Sequence, residues 1–193
     1  MKDEFAPGLR EQTLARAQRV TGKMNWKNEQ STRVMIAGVG YHNLSDLSLG
    51  PVLVPQLQHM EWSPGIEIDD WSFGPLAVVQ RLEDQPNYYD RLILISAVER
   101  GRAPGAVHAY RWQKQLPDAD EIQQRIGEAI MGVISLDNLL IIGQHFGVLP
   151  EDVIVIEVEP EDLNWGEKFT ARVQAALPRV IDMVRAYARA WDG

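Results

Sequence analysis

The residues best placed to do chemistry follow the first strongly apolar run. Arg33-Val34-Met35-Ile36-Ala37 is rich in branched side chains and leads into Gly38-Val39-Gly40. This is the pattern of a buried strand that ends on two glycines. A glycine pair there lets backbone approach a phosphate, so a small anion or nucleotide is one reading. The dinucleotide fingerprint needs a third glycine three residues on, where Asn43 stands, and no Walker-type Gly-x-x-x-x-Gly-Lys-Ser/Thr occurs. Further along the same loop lie His42 and Asp46. Asp46 precedes the Leu49/Val52/Leu53 face, so it is either a helix N-cap or a functional acid. His42 is an exposed loop histidine, or it shares a metal with Asp46 and Asp70. Asp69 and Asp70 end a second run, Gly65 to Asp70. Neighbouring carboxylates can raise one another's pKa and serve acid–base work, or they can be solvated strand-end acids. Because strand side chains alternate, Asp70 is the one expected to face the crevice. Glu99-Arg100-Gly101-Arg102 follows a third run and suits an acidic or C-terminal group, or a solvated turn. His59, His108 and His145 lie outside ligand spacing and read as structural. Ser96 has no identifiable base, and no Gly-x-Ser-x-Gly elbow is present.

The elements that must position these residues alternate in type. Apolar strand runs cover Arg33 to Gly40, Gly65 to Asp70, Arg91 to Val98 and Asp152 to Glu159, with a shorter edge candidate, antiparallel, over Pro104 to Trp112. Between them, Leu49, Val52, Leu53, Leu57 and Met60 recur at helical spacing. Pro51 suits a first turn, whereas Pro55 should remove a hydrogen bond. Phe73 to Leu82 and Leu136 to Phe146 are further helices. A stripe from Phe169 to Trp191 marks the last, interrupted by Pro178. Alternating strands and helices imply parallel βαβ units with right-handed crossovers. The expected architecture is three-layer α/β/α around a mostly parallel twisted sheet of about five strands. Ligands in such sheets bind beyond the carboxyl ends of the strands. That places a candidate crevice at Gly38, Gly40, Asp46, Asp70 and Ser96.

Composition sets the outer limits. The 193 residues fit one domain, read as 33–193, preceded by a polar arm over 1–32 that could dock through Trp26. With 19 basic and 27 acidic side chains the net charge is −8, which argues against a nucleic-acid or anionic-lipid surface. The absence of cysteine removes disulfides, thiolate metal sites and thiol nucleophiles, and fits a reducing compartment. No apolar run approaches the roughly 20 residues of a membrane span, and Met1 to Gly8 lacks a signal-peptide pattern. A cytoplasmic protein is expected. Trp62, Trp71, Phe73, Tyr88 and Tyr89 are either core packing or a protein-binding surface.

Taken whole, Gly38 to Gly50 (GVGYHNLSDLSLG) resembles the hydrogenase maturation proteases, nickel-dependent endopeptidases that trim the C-terminus of hydrogenase large subunits. Their first strand ends in Gly-x-Gly-Asn, followed by Asp, then Asp or Glu, then two residues and Gly. The spacing from Gly38 through Asp46 to Gly50 fits without a gap. Glu67 to Ser72 falls where the family has Asp-Gly-Gly-Thr. Leu92 to Val98 with Ala103-Pro104-Gly105 is similar to its third strand and following turn, and Val153 to Leu163 to its Pro-Glu-x-Leu strand. The final proline-interrupted helix corresponds as well, so the resemblance spans about 33–190. It implies a phosphorylase/hydrolase-like α/β fold.

The family's nickel ligands do not carry over. Its first ligand position is Leu47 here, its second is Ser96, and no histidine lies near Ile130 to Gly132; Tyr41 replaces the family's Asn. Leucine has no lone pair and neutral serine is a poor ligand, so no nickel or other cofactor is expected. The implied function is that of a non-hydrolytic homologue. It would bind a hydrogenase large subunit or a related metalloenzyme precursor as an assembly factor. The alternatives are an endopeptidase with a relocated site at His42, Asp46 and Asp70, and a small-anion or nucleotide binder.

Overall fold

The computed structural model describes residues 32–189. The expected N-terminal arm, with Trp26, lies outside these residues, as does Trp191. Five strands form one sheet: β1 (Val34–Gly38), β2 (Ile66–Asp70), β3 (Arg91–Ala97), β4 (Val107–Arg111) and β5 (Asp152–Val158). Their spatial order is β2-β1-β3-β5-β4, parallel except for β4, which runs antiparallel to β5. Strand alternation builds both faces. Val34, Ile36, Ile93, Ile95, Ile154 and Ile156 project to one side, and Met35, Ala37, Leu92, Leu94, Val153 and Val155 to the other.

Helices cover each face, giving the expected three layers. On the isoleucine side lie α1 (Leu49–Gln58) and the last helix, α5 (Ala171–Arg189), through Leu53, Leu57, Val173, Val180 and Val184. On the other side, α2 (Pro75–Asp84) and α4 (Leu136–His145) pack Val78, Leu82, Leu139 and Leu140. Pro55 inside α1 and Pro178 inside α5 are both exposed, and α5 runs unbroken past Pro178.

The apolar run Gly65 to Asp70 forms β2, an edge strand that is half-buried throughout because it has a neighbour on one side only. A further helix, α3 (Ala119–Ile130), lies outside the expected elements, although Ile122, Ile126, Ala129 and Ile130 recur at helical spacing. It buries only Ala129 fully, packing with Ile126 against Val79 and Ile142 on other helices, so it needs little apolar surface. Its start is fixed by Asp118, whose side chain accepts from the Glu121 N–H at 2.9 Å.

Candidate active-site cleft

A cavity of about 150 Å³ opens beyond the carboxyl ends of β1 and β3. These strands are adjacent, yet the chain leaves β1 for β2 on the opposite side, so the cavity sits at the topological switch point. Gly40, Tyr41 and Leu47 line it from the β1 side, Ser96 to Glu99 from β3, and Ile134, Ser135 and Leu136 from the start of α4. Leu47 and Ser96 therefore face one cleft, as the family spacing implies. The Tyr41 hydroxyl accepts from the Ile134 N–H at 2.9 Å and ties the β1 loop to the α3–α4 connection. Ser96 is 3% exposed, and its hydroxyl reaches only the neighbouring Ala97 carbonyl, at 3.4 Å.

Gly38 and Gly50 meet where α1 crosses β1. A Cβ on Gly38 would lie 2.3 Å from the Gly50 carbonyl oxygen, and one on Gly50 would lie 2.5 Å from Val39 backbone. The glycine-rich strand end is thus accounted for by helix–strand packing, without a phosphate. Gly50→Ala is expected to cost about 2 kcal/mol or more in denaturant unfolding, because backbone on both sides must move. Gly38 itself lies beneath α1 and does not line the cleft; Gly40 does.

Asp46 is neither a cap nor a crevice acid. It is fully buried, in a 3₁₀ turn (Ser45–Ser48) ahead of α1, and the residue preceding α1 is Ser48, which makes no capping bond. Its Oδ2 accepts from the Glu161 and Asp162 N–H groups at 2.9 and 3.0 Å and from the Thr170 hydroxyl at 2.9 Å. Its Oδ1 accepts from the Thr170 N–H at 2.8 Å. Asp46 therefore fastens the loop after β1 to the segment joining β5 and α5. Backbone bonds from Ser45 to Gly166 and from Gly166 to Asn43 continue that seam.

His42 and Asp70 do meet. Nε2 of His42 lies 3.0 Å from Oδ2 of Asp70, at a rim where the two side chains are 62% and 32% exposed. The other Asp70 oxygen accepts from the Ser72 N–H. Asp69 instead pairs with Arg81. Asp46 does not join His42 and Asp70. Among the described residues, no three His, Asp or Glu side chains gather as a potential metal cluster.

The strongest charge cluster was missed in the sequence. Glu157 on β5 is fully buried and lies beside Ser96 in the sheet register. It accepts from Nη2 of Arg100 at 2.7 Å, Nη1 of Arg102 at 2.9 Å and the Tyr110 hydroxyl at 2.9 Å. Arg100 also forks onto Asp137 in the first turn of α4, at 2.9 and 2.7 Å. Glu159 receives the N–H groups of Arg100 and Gly101. Burial pushes the Glu157 carboxyl up, but hydrogen bonds from Arg100 and Tyr110 and the Arg100 charge outweigh it and hold its pKa below the usual range. Hydrogen bonds to Asp137 and Glu157 hold the Arg100 guanidinium above its ordinary value. Arg100 and Arg102 thus clamp β3, β4, β5 and α4 together beside the cleft, within a turn whose Glu99, Arg100 and Gly101 remain exposed. A carboxylate at an inward position of an apolar strand was the available signal, since a buried charge requires partners.

The remaining singled-out residues are mostly structural. Nδ1 of His59 lies 2.6 Å from the Pro55 carbonyl at the end of α1. His108 stacks beside Tyr110 on β4, and His145 meets Phe146 edge-on. Trp71 and Tyr89 are buried, Trp62 and Tyr88 half-buried, and only Phe73 among the five aromatics is exposed. No helix of the described residues is long and apolar enough to cross a membrane.

No protein-family model matches the chain. It is 26% identical over 163 residues to the hydrogenase expression/formation protein HupD of Rhizobium leguminosarum bv. viciae, covering 82% of this chain and 75% of that protein. Among solved structures, it is similar to a hydrogenase 2 maturation peptidase from a Thaumarchaeota archaeon. That match has 25% identity and a TM-score of 0.59, and covers 83% of this chain and all of the other. It also resembles the hydrogenase maturating endopeptidase HybD of E. coli, with 24% identity and a TM-score of 0.62 over 82% and 93% of the two chains. In sequence and fold together, the chain is similar to the hydrogenase maturation proteases.

Proposed function

We propose that the chain binds a hydrogenase large subunit, or a related metalloenzyme precursor, as an assembly factor without cutting it. One observation carries this reading: the cleft is present, but Leu47 and Ser96 line it where the family resemblance implies nickel ligands. Glu99 supplies the only carboxylate in the lining, beside serine and tyrosine hydroxyls. A divalent ion held by one carboxylate and neutral hydroxyls would lack the imidazole or carboxylate donors that divalent transition metals favour. The residues present do not fit nickel, so no metal-dependent step is assigned to them. A relocated site at His42, Asp46 and Asp70 loses support because the Asp46 oxygens already accept four hydrogen bonds inside the protein.

Mixing the purified chain with a hydrogenase large-subunit precursor from its own host tests both halves of the reading. Size-exclusion chromatography is expected to show a complex, and intact mass spectrometry an unshortened precursor after prolonged incubation with Ni²⁺. Loss of a C-terminal peptide in that mixture would overturn the non-hydrolytic reading. Failure of the proteins to co-elute would overturn the assembly role.

A further inference from the structure

On the side of the sheet away from β2, the edge strand β4 has β5 as its only neighbour among the described residues. In an antiparallel pair each residue turns both its N–H and its C=O to one side. Bonds from Glu159 N–H to Ala106 C=O and from Trp112 N–H to Val153 C=O set the parity. Residues 106, 108, 110 and 112 therefore turn toward β5, and Val107, Ala109 and Arg111 turn outward. The Arg111 carbonyl accepts from Gln113 Nε2, but no described residue satisfies the outward peptide groups of Val107 or Ala109. Beside this edge runs a groove of about 370 Å³ between β4 and α5, floored by Val107, Ala175 and Ala176 and flanked by Arg172 and Arg179. Arg172 is paired with Glu161, whereas Arg179 has no ion-pair partner among the described residues.

We propose that the free edge of β4 and the arginine-flanked groove beside it form a docking site for an extended acidic segment of a partner protein, added as a sixth strand. Main-chain hydrogen bonds to Val107 and Ala109 supply the pairing, and alternate side chains of the guest reach the α5 side. The occupant follows from charge. The chain as a whole carries −8, yet this groove presents Arg179, without an ion-pair partner among the described residues, beside the Glu161-paired Arg172. A second copy added across the edge in a continuous sheet would set arginines against arginines, whereas an acidic strand meets opposite charge. The proposal does not depend on whether the cleft hydrolyses anything.

Fluorescence anisotropy with a fluorescein-labelled peptide of alternating glutamate and valine tests it, with the lysine–valine peptide as a control. The full-length chain is expected to bind the acidic probe saturably and the basic one not at all. Arg179→Glu should weaken binding about tenfold, because a rim attraction becomes a repulsion. Arg185→Glu makes the same charge change beside a separate groove at Trp62, and should alter binding less than about twofold at physiological salt. Ala109→Pro removes an outward N–H that β5 does not use, so the sheet should persist while the probe is lost. The proposal is overturned if the acidic probe fails to saturate, if Arg185→Glu costs as much as Arg179→Glu, or if a melt-competent Ala109→Pro protein still binds. It is equally overturned if sedimentation shows a dimer of this chain that Ala109→Pro dissolves, since the edge would then be occupied by a second copy.

Discussion

Asp46→Ala is expected to lower unfolding stability by about 3 to 5 kcal/mol. The side chain is fully buried, and its removal strands three backbone N–H groups and one hydroxyl without acceptors. Each orphaned buried donor costs about 1 to 3 kcal/mol, partly offset by water entering the vacated space. Asp46→Asn is milder and informative. Its oxygen can serve the three donors that converge on Oδ2, while its NH₂ must face the Thr170 N–H. Urea unfolding should therefore rank wild type, asparagine, then alanine, with alanine at a midpoint well below the other two. A catalytic or solvated role for Asp46 would instead leave all three midpoints together.

Glu157→Ala is expected to cost about 3 kcal/mol, somewhat less than a fully enclosed ion pair because Arg100 and Arg102 are each about 30% exposed and can recover water. The pH dependence gives an independent check. The folded-state pKa of Glu157 is lowered from 4.5, so the unfolded chain takes up its proton first as pH falls. The stabilisation is therefore complete above the ordinary glutamate range and is lost as pH drops through the folded value. Thermal melts between roughly pH 6 and pH 3 should fall more steeply for wild type than for Glu157→Gln. Parallel slopes for the two proteins would mean that the carboxylate contributes no such linkage.

Much of the fold was legible because its central strands are apolar on both faces. Val34 to Gly38, Arg91 to Ala97 and Asp152 to Val158 are fully buried, and a strand run with no polar face identifies itself. The position of the cleft was legible too, since topology alone directs ligands to the carboxyl ends of β1 and β3. The partners of individual polar residues were not. Asp46 looked like a cap because the next residues are helical, whereas its donors lie more than 110 positions away, at Glu161, Asp162 and Thr170. Nothing local encodes that pairing. The same holds for Arg100 and Arg102, read as a site for an acidic group or as a solvated turn: Glu157, which holds them, is brought near only by the pairing of β3 with β5. Helix α3 was legible in principle from the helical spacing of Ile122, Ile126 and Ile130, although it buries only Ala129 completely.

Isothermal titration of Ni²⁺ into the purified full-length chain tests most directly the central claim that the cleft has exchanged its metal-binding role for a binding role alone. With Leu47 and Ser96 at the implied ligand positions, the expected result is no saturable heat beyond weak surface association. A stoichiometric one-to-one isotherm with micromolar or tighter affinity, lost in the variant Glu99→Gln or His42→Ala, would contradict it.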